Sequence, residues 1–323
     1  MPLDHYVSQV HLRQFYSPSL PNLMFAIRKS DLKAFCCNSK SVCRIADGSN
    51  NHYLSKDRLI EEFLKNVEPN YNRSLDLIYK DRIDQGCILS IAGFAAYVLA
   101  CSPAGMRIFS DPLRASLEST TEILDRRGRL SSAPEALGGK SLTELLGNGT
   151  VKFTIDPKFP QALGIKSILS WVSVFGNSRW DILHNETDSP FFTSDFPIGL
   201  EISRDPRVSN RIIPLAPNLA IRICPDIRLS GSKPDLSFKK FRFQHHRLRR
   251  QETIEINKCI VRCAEDLVFY RDNSAWISPF VSKNRNYHVA GLTERIPFGR
   301  GFLNLSTQRI VLRSADDQDK RSE

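Results

Sequence analysis

The stretch ILSIAGFAAYVLAC, Ile88–Cys101, is the one long apolar run of the sequence, and it decides how the rest is arranged. It is too short to span a bilayer, which takes about 20 apolar residues in a helix. Apolar side chains occupy every face of a helix over this length, a pattern typical of a helix buried on all sides. We therefore predict a central core helix here, with the other elements packed around it.

The composition is that of an ordinary globular protein, since 41% of the 323 residues are hydrophobic and 25% are charged. The formal net charge of +10 favours contact with polyanions through phosphate neutralisation, which makes RNA or DNA a candidate partner. The N-terminal residues MPLDH carry neither a basic leader nor an apolar run, and the eight cysteines include no Cys-x-x-Cys pair. We expect a cytoplasmic protein with reduced thiols and no membrane contact.

Helical periodicity dominates the first half of the chain. Apolar residues at helical spacing predict helices over Asp4–Phe15, over Leu59–Val67 with Ser55 as the N-cap, over Leu113–Arg127 and over Gln161–Phe175. Pro69 should break the second of these. The stretch 128–149 is rich in Gly, Ser and Pro, which predicts a long loop or a domain junction.

Short β-branched or aromatic runs separated by Pro, Asp and Gly fill the second half and predict an antiparallel meander. These runs are Trp180–Leu183, Phe191–Thr193, Gly199–Ile202, Arg211–Ile213 and Leu219–Cys224. An earlier strand is predicted at Leu23–Arg28 and a closing helix at Thr253–Tyr270. The fold class is therefore α+β, with a helical N-terminal half packed on the meander and closed by a C-terminal helix.

The predicted domain organisation is a single α+β domain over 1–313, followed by a polar, disordered tail at 314–323. Within it we distinguish a mainly helical segment, 1–127, from a mainly β segment with the closing helix, 150–275. These are candidate lobes, and 128–149 joins them.

Several blocks of polar and aromatic residues resemble a known family. The blocks are HYVSQ (5–9), LRQF (12–15), WDILHN (180–185), FFTSDFP (191–197), IPLAP (213–217) and IN (256–257). In this order they are similar to the domain of unknown function 4238 family, in which Pro usually stands where this chain has Ser8. The resemblance implies a fold and a set of polar positions, and it implies no activity.

The N-terminal block contains candidate catalytic residues. Gln9 and Arg13 are four residues apart and share one helix face, with His5 just before the first turn. An imidazole can act as a general acid or base, and a guanidinium can hold a phosphate. Asp195 follows a predicted strand, where it could orient His5 or bind a divalent metal ion, the candidate cofactor. The alternative is structural: these side chains tie down the N-terminus and cap a turn.

Four further polar or aromatic positions of the blocks are candidate substrate-binding residues: Trp180, Asn185, Ser194 and Asn257. Asn257 lies near the apolar face of its predicted helix. Because a buried amide must be hydrogen-bonded, Asn257 either ties two elements together or faces the same pocket as the catalytic candidates.

The stretch KKFRFQHHRLRR, 239–250, contains six basic residues and no acid. Basic residues alternating with Phe241 and Phe243 are what phosphate contact and base stacking require. The alternative is a solvated strand or loop face whose aromatic side chains point inward. The candidate nucleic-acid-binding residues are Lys239, Lys240, Arg242, Arg247, Arg249 and Arg250.

Two hypotheses on function follow. The first is a nucleic-acid-associated binding or regulatory module that uses the stretch 239–250. The second is a nuclease-like hydrolase, a ribonuclease-type effector of a phage-defence or toxin system, with His5 as acid or base and with Gln9 and Arg13 holding the phosphate. The second hypothesis requires His5, Arg13 and Asp195 to share one solvent-open pocket.

Overall fold

A computed structural model describes residues 2–203, 205, 207–229, 233–299 and 301–313. The predicted disordered tail, 314–323, lies outside these residues. The α-helices are α1 Gln9–Leu12, α2 Leu59–Val67, α3 Tyr71–Tyr79, α4 Gln85–Cys101, α5 Pro103–Arg126, α6 Leu142–Gly147, α7 Lys158–Lys166, α8 Ile168–Asn177, α9 Arg250–Cys263 and α10 Ile277–Asn284. The strands are β1 Leu3–His5, β2 Met24–Arg28, β3 Ala34–Cys37, β4 Arg44–Ala46, β5 Arg179–His184, β6 Thr193–Ser194, β7 Gly199–Ile202, β8 Ser209–Ala216, β9 Leu219–Cys224, β10 Arg242–Arg247, β11 Leu267–Tyr270, β12 Tyr287–Phe298 and β13 Gly301–Leu312. The predicted α+β class is confirmed.

Helix α4 is the central core helix that the apolar run predicts. Asp84 caps its start by accepting a hydrogen bond from the Cys87 amide at 2.7 Å, and nearly every side chain after Gly86 is buried. Ser102 ends the helix in an extended conformation and caps α5, whose first residue is Pro103. By length and hydropathy, no single helix in the described ranges could cross a membrane, although α4 and α5, which meet at a 63° bend, pass that test as a pair.

The larger sheet has the strand order β10-β5-β9-β8-β7 and contains the predicted meander. All four predicted strands pair antiparallel, but only β7, β8 and β9 follow in the order of a meander, because β5 pairs with β9 and not with β7. Strand β10, the middle of the basic stretch 239–250, extends this sheet at one edge and runs parallel to β5, with Arg242 opposite Arg179 and Arg247 opposite His184. Arg249 and Arg250 lie after it, as the N-cap and the first residue of α9. One face of the sheet contributes Trp180 and Ile221 to the hydrophobic cluster that contains α4, while α9 packs on part of the other face.

A second sheet, with the order β3-β2-β11-β6, corrects two predictions. The predicted helix Thr253–Tyr270 ends at Cys263, and Leu267–Tyr270 is a strand between β2 and β6. This run of branched and aromatic residues pairs on both sides, and that tertiary pairing overrides its helical spacing. Of the strand predicted at Phe191–Thr193 only Thr193 is in a strand, the short β6, which belongs to this sheet and not to the meander.

The N-terminal segment is not one helix. Leu3–His5 forms a strand with β4, and only Gln9–Phe15 is helical, as α1 and a 3₁₀ turn. Asp4 is held in this strand by the Ser49 amide at 3.0 Å and by Arg58 at 2.9 Å. Ser55 does not cap α2, which begins four residues later with no side-chain cap.

Three other regions differ from the predictions. The helix predicted over Gln161–Phe175 is divided into α7 and α8 at Ser167, and the predicted loop 128–149 contains α6, which a capping box of Ser141 and Glu144 starts. The hairpin of β12 and β13 was not predicted, and it packs against α5. A side chain at Gly291 would meet the Ile108 carbonyl oxygen at 2.4 Å, so this close approach requires glycine.

Candidate functional site

A cavity of about 340 Å³ at the N-terminus, here called the N-terminal cavity, is lined by three predicted catalytic residues, His5, Gln9 and Arg13. The His5 Nε2 donates to the Ser39 carbonyl oxygen at 3.0 Å, and the Arg13 Nη2 donates to the Gln9 Oε1 at 3.3 Å. The helix begins at Gln9, directly after Ser8, and this start places Gln9 and Arg13 on one face. The sequence therefore correctly predicted that these three side chains come together.

The charges around the N-terminal cavity do not suit a phosphate. Asp4, Glu61 and Glu68 line it beside Arg13, and Arg58 is paired with Asp4 and Glu61. Burial lowers the pKa of His5, so its imidazole adds no positive charge at neutral pH. The three carboxylates outnumber the two guanidinium groups of Arg13 and Arg58, so this opening offers a nucleic-acid backbone no net positive charge.

Asp195 does not join the N-terminal cavity. Its side chain is buried, and its carboxylate accepts three backbone N–H bonds, from Glu265 at 2.8 Å, Asp266 at 2.7 Å and Leu267 at 2.8 Å. Burial raises its pKa to about 6, although these three bonds favour the charged form. The carboxylate therefore fixes the turn between α9 and β11, and the arrangement that the hydrolase hypothesis required is absent from the described residues.

The four candidate substrate-binding residues are buried, and their polar atoms bind the protein itself. The Trp180 Nε1 donates to the Phe175 carbonyl oxygen at 2.8 Å, and the Ser194 hydroxyl accepts from the Phe196 amide at 3.2 Å. Asn185 donates to the Ser189 carbonyl oxygen at 2.8 Å and accepts from Thr187 and Thr253. Asn257 accepts from the Phe192 amide and donates to the Pro190 carbonyl, each at 2.9 Å, so it ties α9 to the segment before β6.

A buried histidine between the blocks HYVSQ and LRQF was not predicted from the sequence. His11 is fully buried and stacks on Phe94, with ring centroids 4.6 Å apart. Its Nδ1 is 2.8 Å from the Tyr71 hydroxyl and its Nε2 is 2.8 Å from the Thr193 Oγ1. Burial lowers its pKa to about 3, so it stays neutral. It joins α1, α3 and β6 and plays no part in an open site.

A row of rings lies along the edge strand β10 and is here called the ring ladder: Phe241 just before the strand, Phe243 and His245 on it, and His184 at the end of β5. Consecutive rings along β10 lie 5.7 Å and 5.6 Å apart, and those of His245 and His184 lie 5.0 Å apart. Phe243 is 37% exposed, whereas Phe241 is half-buried against Trp180. The alternative that the aromatic side chains of this stretch point inward is therefore correct in part for Phe241, whereas Phe243 and His245 face solvent.

The basic residues that flank the ring ladder in the sequence are on the surface. Lys239, Lys240 and Arg242 are exposed. Arg247, Arg249 and Arg250 are exposed too, and each pairs with an accessible carboxylate, of Glu186 at 3.7 Å, Glu252 at 3.4 Å and Asp188 at 3.0 Å, respectively. Exposed pairs of this kind contribute about 0–1 kcal/mol each, so a polyanion can replace the carboxylate at little cost.

The opposite face of β10 has a different character. There the buried Asp181 carboxylate accepts from Gln244 at 2.8 Å and contacts Arg179 at 3.2 Å and Arg222 at 3.5 Å, which ties β10 to β5 and β9. A cavity of about 430 Å³ on this side is lined by two arginines, Arg222 and Arg247, by His246 and by the three carboxylates of Glu201, Glu252 and Glu255. These acidic surroundings leave the ring ladder as the better surface for an anion.

The ring ladder also contains a hydrogen-bonded histidine pair that sequence reasoning did not predict. The His184 Nε2 and the His245 Nδ1 are 2.8 Å apart, and the His245 Nε2 is 3.1 Å from the Asp81 Oδ1. The three residues come from β5, β10 and the turn after α3. The parallel pairing of β10 with β5, which no local pattern indicates, brings them together. Among the described residues, no group of three or more His, Cys, Asp or Glu side chains could hold the divalent metal ion that was a candidate cofactor.

Comparison with known proteins gives one match. The model of a family described as "protein of unknown function (DUF4238)" matches residues 4–274 of this chain. No curated protein matches, and no solved structure matches. The matched range contains the N-terminal cavity except for Leu3, and it contains both faces of β10 and the histidine pair.

Proposed function

Since the chain belongs to the DUF4238 family, whose description assigns no activity, we propose from its geometry that it binds single-stranded nucleic acid along β10. The observation that carries this proposal is the ring ladder on an exposed sheet edge, inside a stretch of sequence with six exposed basic residues, of which Arg247 lies on the same face of β10 as Phe243 and His245. Bases would stack on the rings and phosphates would lie against the lysines and arginines.

Stacking on aromatic rings and neutralisation of phosphates are the two contributions that sequence-tolerant binders of single strands combine. A base in a single strand has an open face for Phe243 and His245, whereas in a duplex both faces are covered by neighbouring bases. The overall charge of +10 adds a long-range attraction. Single-stranded RNA or DNA is therefore favoured over duplex DNA.

The test is fluorescence anisotropy with labelled single-stranded RNA, single-stranded DNA and duplex DNA, titrated at several salt concentrations. We expect Phe243→Ala to weaken single-strand binding by about 1–3 kcal/mol, the contribution of one stacked base. The triple variant K239A/K240A/R242A should reduce the slope of log affinity against log salt by about 0.7 for each phosphate that the variant no longer neutralises.

Matched controls separate this surface from bulk charge and apolar surface. K33A/K40A/K152A removes three exposed cations elsewhere on the chain, and Phe298→Ala removes a ring that is 68% exposed in the outer hairpin. If these controls weaken binding as much as the β10 variants do, or if the protein binds no single strand, the proposal is wrong.

The hydrolase hypothesis built on His5, Arg13 and Asp195 has no comparable support. The N-terminal cavity is lined by three carboxylates, and Asp195 is held in the interior by three backbone amides. If phosphodiester chemistry occurs in this protein, another group must perform it.

A further inference from the structure

The histidine pair on the ring ladder lies at the end of the proposed binding surface. Asp81, His245 and His184 form a continuous chain, with an oxygen-to-nitrogen distance of 3.1 Å and a nitrogen-to-nitrogen distance of 2.8 Å. The chain begins in the turn after α3 and crosses β10 to reach the last residue of β5. His184 is its outer end, and this residue is only half-buried.

The hydrogen-bond directions in this chain follow from its first member. A carboxylate only accepts, so the His245 Nε2 carries a proton and donates it to Asp81. In a neutral imidazole the other nitrogen is then an acceptor, so the His245 Nδ1 accepts from a protonated His184 Nε2. The same rule leaves the His184 Nδ1 with a free lone pair. His184 is thereby set up to take a proton.

The charged groups around His184 suit a reaction on a phosphate. Arg247 is its partner in the pairing of β10 with β5, and this guanidinium is 82% exposed in a loose pair with Glu186. The pKa of His184 is lowered by burial and then by His245 and Arg247, against the opposing effect of Glu186, so the imidazole is an available base at neutral pH. Once protonated, it would be stabilised through His245 by the Asp81 charge.

We propose that His184 is the general base of a metal-independent cleavage of RNA bound on the ring ladder, with His245 and Asp81 as positioning residues. This inference rests on the proposed function, because the substrate must first be bound by β10. The ribose 2′-oxygen attacks the adjacent phosphorus while its proton passes to the His184 Nδ1. The bond from phosphorus to the 5′-oxygen breaks, and this oxygen takes a proton from water. His184 returns its proton to the hydroxide formed.

The products are a 2′,3′-cyclic phosphate and a 5′-hydroxyl, and the reaction requires neither a metal ion nor a redox partner. Arg247 holds the phosphate and stabilises the charge that develops on its oxygens. DNA lacks the 2′-hydroxyl, so the same surface binds DNA without cutting it. This difference separates binding from chemistry in one experiment.

The experiment incubates the whole purified protein with end-labelled single-stranded RNA, and with DNA of the same sequence, in EDTA. We expect cleavage of RNA only, with cyclic-phosphate ends. His184→Ala should slow it by about 10²–10⁴-fold, the usual contribution of a general base. Its affinity for the DNA strand should fall by no more than the contribution of one stacked ring, about 1–3 kcal/mol, and an unchanged circular dichroism spectrum verifies that the variant is folded.

A second variant tests the positioning role. Asp81→Asn should lower kcat with little change in KM and should move the acid limb of the pH–rate profile to lower pH, because the carboxylate no longer stabilises protonated His184. A residue with only a structural role would not shift this limb. His52→Ala is the matched control, since His52 is an exposed histidine that also lies beside an aspartate, Asp156 at 3.7 Å, and the variant should cleave normally.

The outcomes of this experiment distinguish the binding proposal from the cleavage proposal. RNA that is bound in EDTA but not cut, or cut equally fast by His184→Ala, overturns this inference and leaves the binding function intact. RNA and DNA that are neither bound nor cut overturn the proposed function as well.

Discussion

The buried polar cluster around β6 and the exposed strand β10 both contain the residue types from which binding sites are made, yet their surroundings are opposite. His11, Asp195 and Asn257 are almost inaccessible, and each bonds to the protein through the hydrogen bonds described above. On β10, by contrast, Phe243 and the basic side chains are exposed to solvent.

This difference shows that a block of polar residues does not indicate a binding site until the hydrogen-bond partners of those residues are known. Two of the family-like blocks, FFTSDFP and IN, supply Asp195 and Asn257 to the interior cluster, and His11 lies between two others. The hydrogen bonds of this cluster join α1, α3, β6, α9 and β11. Such groups are costly to bury unless they are satisfied, and once satisfied they fix how the elements meet. The exposed side chains of β10 are solvated and need no hydrogen-bond partner in the protein, so they can contact a ligand.

Among substitutions that test this difference between the two regions, we expect the largest loss of stability at Asp195. Asp195→Ala leaves three backbone N–H groups without their acceptor, and we expect a loss of about 3 kcal/mol or more of the free energy of unfolding. Denaturant unfolding measures it. Asp188→Ala is the control, because this carboxylate is 76% exposed, and it should change stability by less than about 0.5 kcal/mol. Equal effects at the two positions would contradict the assignment of Asp195 to the interior framework.

A smaller effect is expected from His11 and depends on pH. Its pKa is lowered from 6.5 to about 3 in the folded protein, so the unfolded chain takes up a proton below about pH 6.5 while the folded chain does not. The stability that neutral His11 contributes is therefore complete above pH 6.5 and is lost progressively as the pH falls towards 3.

Comparison with His11→Gln isolates this contribution. Between pH 7 and pH 5 the native protein should lose about 2 kcal/mol more stability than the variant, according to the difference in protonation of His11. The raised pKa of Asp195 acts in the opposite direction over this range in both proteins, so it cancels in the comparison. Parallel stability curves for the two proteins would show that His11 is not held neutral.

The smallest effect is expected on β10. The variant K239A/K240A/R242A removes exposed side chains, so its free energy of unfolding should lie within about 0.5 kcal/mol of the native value while its affinity for single-stranded RNA falls. Unfolding curves and anisotropy on the same preparation provide both quantities. A large loss of stability would instead place these cations in the structural framework.

The sequence predicted the elements whose formation depends on local patterns. The apolar run of α4, the periodicity of α2 and the β-branched runs of β5, β7, β8 and β9 were all recognised correctly. The convergence of His5, Gln9 and Arg13 was also predicted, since a spacing of four on a helix is a local relation.

What could not be predicted depends on partners far away in the chain. Leu267–Tyr270 continues the helical spacing of α9, and only its pairing with β2 and β6 makes it a strand. The burial of Asp195 depends on three amides about 70 residues later, and the contact of His184 with His245 spans 61 positions. The acidic lining of the N-terminal cavity likewise comes from Glu61 and Glu68 on another segment.

The parallel pairing of β10 with β5 has a consequence for the order of folding. Gln244 and Asp181, which this pairing joins, are 63 positions apart, and strands β7, β8 and β9 lie between them in the chain. Closing so long a loop is slow compared with forming the neighbouring hairpins, which makes β10 a late element of the sheet. A chain that has formed its core but not yet this edge would be compact and unable to hold a nucleic acid, so the binding surface is among the last parts of the molecule to mature.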